Sequence, residues 1–172
     1  MKVLIDTNIL MDVLANRAGF AEPASQLFKL CEVGQVQGVV YALSIANLAY
    51  IMRKELNRSQ IEEVISKLGA IFSITDMKAD DLKKAAVQPI DDYEDALQSV
   101  CASRIKADFI ITRNLKDFKN SKVMAIKPGE LIERISEFSP ARSSTSARFP
   151  AQQWAALQPL SRKRSHSAAL PP

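Results

Sequence analysis

Apolar positions along residues 1–135 recur with two alternating periods, predicting strands and helices in turn. Short, nearly continuous apolar runs mark buried strands: Lys2 to Ile5 (KVLI), Gly38 to Ala42 (GVVYA), Ile71 to Ile74, Phe109 to Thr112 (FIIT) and Val123 to Ile126. The run at Ile71 is short and suits a sheet edge. Between the runs, apolar residues return at helical spacing. Thr7 or Asn8 can cap a helix through Ile9 to Leu14. A second begins after Pro23, carries Leu27, Leu30 and Cys31 on one face, and stops at Gly34. Ser44 is placed to cap a third, with Leu48, Ile51 and Met52. Ser59 opens a fourth with Glu62 at capping-box spacing and a stripe of Ile61, Val64, Ile65 and Leu68. Ala79 to Ala86 forms a fifth. Asp91 or Asp92 caps a sixth, whose apolar face is Ala96, Leu97, Val100, Cys101 and Ile105. Pro128 starts the last, with Leu131, Ile132 and Ile135 apolar. Strands alternating with helices, and apolar throughout, predict a three-layer α/β/α sandwich around a mainly parallel sheet of about five strands.

The pattern stops near Ser136, so residues 1–135 read as one domain and 136–172 as a tail. The tail holds five of the eight prolines and most of the serine-rich sequence. Its stretches between prolines are too short for a stable helix. It reads either as a basic arm centred on Arg162, Lys163 and Arg164, or as a disordered, non-native appendage, which its composition favours. The formal net charge of +4 sits entirely in this tail, because residues 1–135 carry 18 Lys/Arg against 18 Asp/Glu. Any contact of the domain with nucleic acid must therefore rest on local charge.

No apolar run is long enough to span a bilayer. In MKVLIDTNIL, Asp6 falls where a signal peptide needs its apolar centre, so no targeting signal is read and a cytoplasmic location is expected. Cys31 and Cys101 lack metal-site spacing and read as small core hydrophobes. The single histidine, His166, lies in the tail, which disfavours triads and zinc sites. Leu14, Phe20, Leu27 and Phe28 form either an exposed apolar patch or, as is commoner for such residues, part of the core.

The chemistry concentrates in acids that follow strands or open helices. Asp6 ends the first strand; Asp92 and Asp95 share the first turn of a helix; Asn114 and Asp117 follow the fourth strand in TRNLKDF. If the first and fourth strands are neighbours, these groups meet at one end of the sheet. Clustered carboxylates repel one another and are costly to desolvate. A hard cation bound by oxygen ligands, Mg²⁺ or Mn²⁺, relieves that conflict and can bind a phosphate, activate a water and stabilise the departing oxygen. Each acid also has a plainer reading: Asp6 as turn and cap, Asp92 as N-cap, Asp95 as a first-turn acid, Asp117 as a loop residue.

Three segments, VLIDTNILMDVL, DYEDALQSVCASRIKADFIITRNLKDF and VMAIKPGELIERI, resemble the PIN domain family, particularly its VapC-like bacterial members. The resemblance covers residues 1–135 and implies a metal-dependent ribonuclease cleft. By motif position it makes Asp6 the first catalytic acid and Asp95 the acid opening the long helix before the fourth strand. Asn114 stands where many members carry aspartate, and Asp117 supplies an acid nearby. Asn8 matches a residue supporting the first aspartate, and Thr112 a hydroxyl beneath the metal. The sequence departs from the pattern at Asn47, where members often carry glutamate. Together, Asn47 and Asn114 cost the site up to two charges and imply weaker metal binding and slower turnover. Their amide oxygens can still ligate. The resemblance further implies an RNA substrate, an antitoxin protein and a homodimer as partners. Arg113 and Lys116 are the expected RNA contacts, with Lys119, Arg53 and Lys54 as further cations near the cleft.

The competing reading is a catalytically weakened or inactive PIN-fold module that binds RNA or protein. Phosphatases of the haloacid-dehalogenase type need a second aspartate two residues after the first, where this chain has Asn8. Receiver domains need an acceptor aspartate after a central strand, and neither GVVYALS nor FIITRN provides one.

Overall fold

A computed structural model describes residues 1–138. Residues 139–172, which hold the basic arm and His166, lie outside the described residues. In chain order the elements are β1 (Lys2–Ile5), α1 (Thr7–Leu14), α2 (Ala21–Glu32), β2 (Gln37–Tyr41), α3 (Ala42–Met52), α4 (Arg58–Ile71) and β3 (Ser73–Thr75). They continue with α5 (Ala79–Ala85), α6 (Tyr93–Arg104), β4 (Phe109–Ile111), a 3₁₀ turn (Leu115–Phe118), β5 (Ala125–Ile126) and α7 (Pro128–Phe138). The five strands form one parallel sheet in the order β3-β2-β1-β4-β5.

β1 is central, and its alternate side chains enter both layers. Val3 and Ile5 pack with α1, α2, α3, α4 and α7, while Leu4 packs with α5 and α6. That two-sided burial is why KVLI reads as a continuous apolar run. Leu14, Leu27 and Phe28 are fully buried in the first layer, so they belong to the core; Phe20 is exposed. Cys31 and Cys101 are free thiols buried in opposite layers, and burial pushes both up to about 12.

The structure moves several helix starts, each for a local reason. α2 begins at Ala21, and Pro23 sits in its first turn, where no N–H partner is needed. α3 begins directly after β2, so Ser44 is buried inside the helix and caps nothing. α4 is capped by Asn57 and not by Ser59. The Asn57 Oδ1 accepts from the Gln60 N–H at 3.0 Å, and the Gln60 Oε1 accepts from the Asn57 N–H at 3.0 Å. This is the capping box, set two residues earlier. α4 then runs to Ile71, so the edge strand starts at Ser73. α7 continues past Ile135 to Phe138.

Gly38 marks a close approach between β2 and the helices over it. A Cβ there would lie 2.6 Å from Phe72 Cδ1 and 2.7 Å from Cys31 Sγ. Phe72 cannot retreat freely, because its ring meets Phe28 edge-on at 4.8 Å. Gly38→Ala is therefore expected to lower stability by about 1–3 kcal/mol, as overpacking does. Urea denaturation should show a lower midpoint with an unchanged slope. An unshifted midpoint would mean that this contact yields without cost.

Candidate active site

The strand order reverses at β1: β2 and β3 lie to one side, β4 and β5 to the other. Clefts in parallel sheets open at such a reversal, beyond the carboxyl ends of the strands. Asp6 follows β1 directly and Thr112 follows β4 directly. Pairing of Ile5 with Ile111 brings the two side by side, and the Asp6 N–H donates to the Ile111 carbonyl at 3.0 Å.

Asp6 occupies the cap position of α1, yet its carboxylate makes no cap bond. It is 5% exposed and is held from three elements. Gln98 Nε2, in α6, donates to Oδ1 at 3.0 Å. Thr112 Oγ1 donates to Oδ2 at 2.7 Å, and the Asn8 amide donates to the same oxygen. Thr112 is itself saturated, accepting from Asn8 Nδ2 at 3.0 Å and from the Asn114 N–H at 3.0 Å. Burial raises the Asp6 carboxyl above its ordinary value, against the pull of these bonds.

Asp6, Asn8, Asn47, Asp92, Asp95, Arg113, Asn114 and Asp117 all line one cleft of about 660 Å³. The carboxylates expected to converge therefore share one wall-to-wall space. Thr112 lies beneath it, fully buried. Lys116 faces an adjoining notch of about 280 Å³ that also touches Asp92 and Asp117. Asp92 caps α6, its Oδ1 accepting from the N–H groups of Glu94 (2.8 Å) and Asp95 (3.1 Å).

Asp95 is half-buried and pushed up from its ordinary 3.8 to about 7, first by burial and then by Asp6, Asp92, Asp117 and Glu94. Among the described residues no Lys or Arg pairs with any of these five carboxylates. No three Asp, Glu, His or Cys among the described residues close on one point as a finished metal cage. The unneutralised, all-oxygen donor set nevertheless fits a hard dication, and no thiolate or imidazole lines the cleft.

Several residues that shape the cleft escape the sequence reading. Asp12 is 1% exposed and accepts on a single oxygen from Arg113 Nη1 (2.9 Å) and Arg17 Nη1 (3.2 Å), while its Oδ2 has no partner. Arg113, expected to meet RNA, thus lines the cleft with its guanidinium committed to Asp12 and set over the Phe20 ring. A charge inside the apolar run NILMDVL was the available signal for Asp12. Gln98 was signalled in the same way, by an amide on the buried face of α6; its Oε1 has no partner. Glu94 joins the cleft, accepting from Thr7 Oγ1 at 3.4 Å.

A family model described as the PIN domain matches residues 2–116. No curated protein matches the chain. Among solved structures, VapBC2 from Rickettsia felis bound to a DNA fragment from its promoter is similar at 18% identity and TM-score 0.56. That match covers 74% of this chain and 98% of the other. A toxin–antitoxin complex from Klebsiella pneumoniae is similar at 22% identity and TM-score 0.57, over 73% and 97%. FitAcB from Neisseria gonorrhoeae is similar at 17% identity and TM-score 0.53, over 74% and 98%. At these identities the likeness is one of fold.

The raised Asp95 carboxyl makes stability depend on pH. Between its unfolded and folded values the native state binds more protons than the unfolded state, so stability falls as pH rises from about 4 to 7. Asp95→Asn removes this loss. In chelator the variant should match the parent near pH 4 and exceed it above pH 7, by about 1 kcal/mol after discounting for solvent screening. Thermal melts across that range test this; a difference that does not grow with pH would sink it.

Proposed function

The chain belongs to the PIN domain family, and from that premise we propose that it is an endoribonuclease hydrolysing RNA phosphodiester bonds with Mg²⁺ or Mn²⁺. The observation that carries this reading is the cleft at the sheet's reversal, where Asp6, Asp92, Glu94, Asp95 and Asp117 gather without a basic partner. Asp6, Asp95, Asn114 and Asp117 would hold the cation. When bound, it supplies a Lewis acid for the scissile phosphate and lowers the pKa of an attacking water.

The chain's own residues do the remaining work. Thr112, Asn8 and Gln98 fix the orientation of the Asp6 carboxylate, so no reorganisation is needed at the moment of reaction. Asp92 holds the first turn of α6 and with it Asp95. Asn47 presents a neutral amide from α3. Arg113, anchored by Asp12, sets a cation on the cleft wall where an RNA phosphate would come, and Lys116 offers another in the adjoining notch. The same reading assigns the chain a cytoplasmic place, an antitoxin partner and a homodimeric state. No described helix is long and apolar enough to cross a membrane.

A second reading, an RNA- or protein-binding module without turnover, draws on Asn47 and Asn114, whose neutral amides line the cleft where acids would raise its charge.

The full chain should cut RNA in Mn²⁺ and stop in chelator. Asp6→Asn is expected to lose roughly 100-fold or more of that activity, and Thr112→Val roughly 10- to 100-fold. The double variant Asn47→Glu, Asn114→Asp should bind Mn²⁺ more tightly by calorimetry. Cleavage that persists in Asp6→Asn would defeat the nuclease reading. RNA binding with no cleavage products even in Mn²⁺ would establish the second one.

A further inference from the structure

Resting on the nuclease reading, we propose that Tyr50 is a stacking platform for an unpaired nucleobase of the RNA substrate. Tyr50 lies on α3, one helical turn from Asn47, and both line the acidic cleft. Its ring is not part of the core: the residue is 59% exposed. The Arg53 guanidinium sits over the ring, 3.9 Å from its centroid. Ile51, 42% exposed, continues the apolar rim, and Met11 lies within the same cleft.

An exposed tyrosine normally gains little by facing a ring of carboxylates. Here it brings a flat π surface and a cation to the mouth of a space whose remaining lining is mostly acidic or amide. These are the two elements that bind single strands without reading sequence: an aromatic face for a base and a positive charge for the backbone. The guanidinium also polarises the ring it covers and holds it in place. A duplex keeps its base faces stacked on one another and offers none to Tyr50. A strand with an unpaired base can place that base on the ring face that Arg53 does not cover, while its backbone runs toward Asp6 and Asp95. Tyr50 and Arg53 thereby select strand state, whereas the carboxylates serve the chemistry.

The test uses the full chain with a labelled single-stranded oligoribonucleotide and a duplex of the same sequence. Anisotropy reports binding in chelator, and steady-state cleavage is measured in Mn²⁺. Tyr50→Ala should weaken binding of the single strand, or raise KM, by roughly 5- to 100-fold, the range for one stacked base. Tyr50→Trp should restore it, and duplex binding should not change. Because Tyr50 is exposed, the melting temperature of Tyr50→Ala should equal that of the parent. A parent that binds or cuts single-stranded RNA while Tyr50→Ala does so equally well overturns the platform alone and leaves the nuclease reading standing; the aromatic rim would then serve a protein contact. A parent that neither binds nor cuts any RNA overturns both.

Discussion

The site depends on one buried carboxylate. Asp6 ends the central strand at 5% exposure, where an ionised group without partners would be untenable. It is tolerable because three donors reach it: Thr112 from the end of β4, Asn8 from the first turn of α1 and Gln98 from the middle of α6. Those bonds connect both helix layers to the sheet at its point of reversal. The parallel register of β1 with β4 makes them feasible, since a shift of one residue would move Thr112 away from Asp6 and turn its side chain to the other face. Sheet register and site geometry are one constraint seen twice.

The charges around that centre are sorted into two compartments. On one side, five carboxylates share a cleft with no basic partner. On the other, both cleft-lining arginines give their guanidinium donors to Asp12, buried on α1. Asp12 thereby keeps Arg113 and Arg17 from collapsing onto Asp6 and Asp95, which would neutralise the cleft. The arrangement is costly: burial raises the Asp12 carboxyl even against two arginines, and one of its oxygens has no partner. A buried acid of this kind contributes more to where the arginines stand than to stability.

How much of this was legible follows from what each signal depends on. The strands, the sheet's parallel sense and the sandwich were readable because two-sided burial leaves continuous apolar runs, as in KVLI and FIIT. That Asp6, Asp95, Asn114 and Asp117 share one cleft was readable, because a parallel sheet gathers the residues after its strands and at its helix starts at one end. Helix starts were less so. Asn57 and Ser59 are both good caps, and only the reciprocal bonds with Gln60 distinguish them. Asp12, Gln98 and Tyr50 were not read, because a polar side chain on an apolar face, or an aromatic on an exposed one, takes its meaning from the element opposite. Arg113 was found by its place in the motif, but the partner that holds it lies 101 residues away in the chain.

The two asparagines are then a compromise between folding and binding. An acid at position 47 or 114 would add repulsion to a cleft that already drives Asp95 up to about 7. Every added charge raises the cost of the cation-free fold and, by the same Coulomb term, the affinity for a dication. Asparagine keeps an oxygen ligand at each place and removes that repulsion. The neutral amides therefore favour a domain that stands without a cation and, on the nuclease reading, binds one less tightly. Asp6 differs from both, because the donors Thr112, Asn8 and Gln98 offset part of the cost of burying its charge, although burial still holds its carboxyl above the ordinary value.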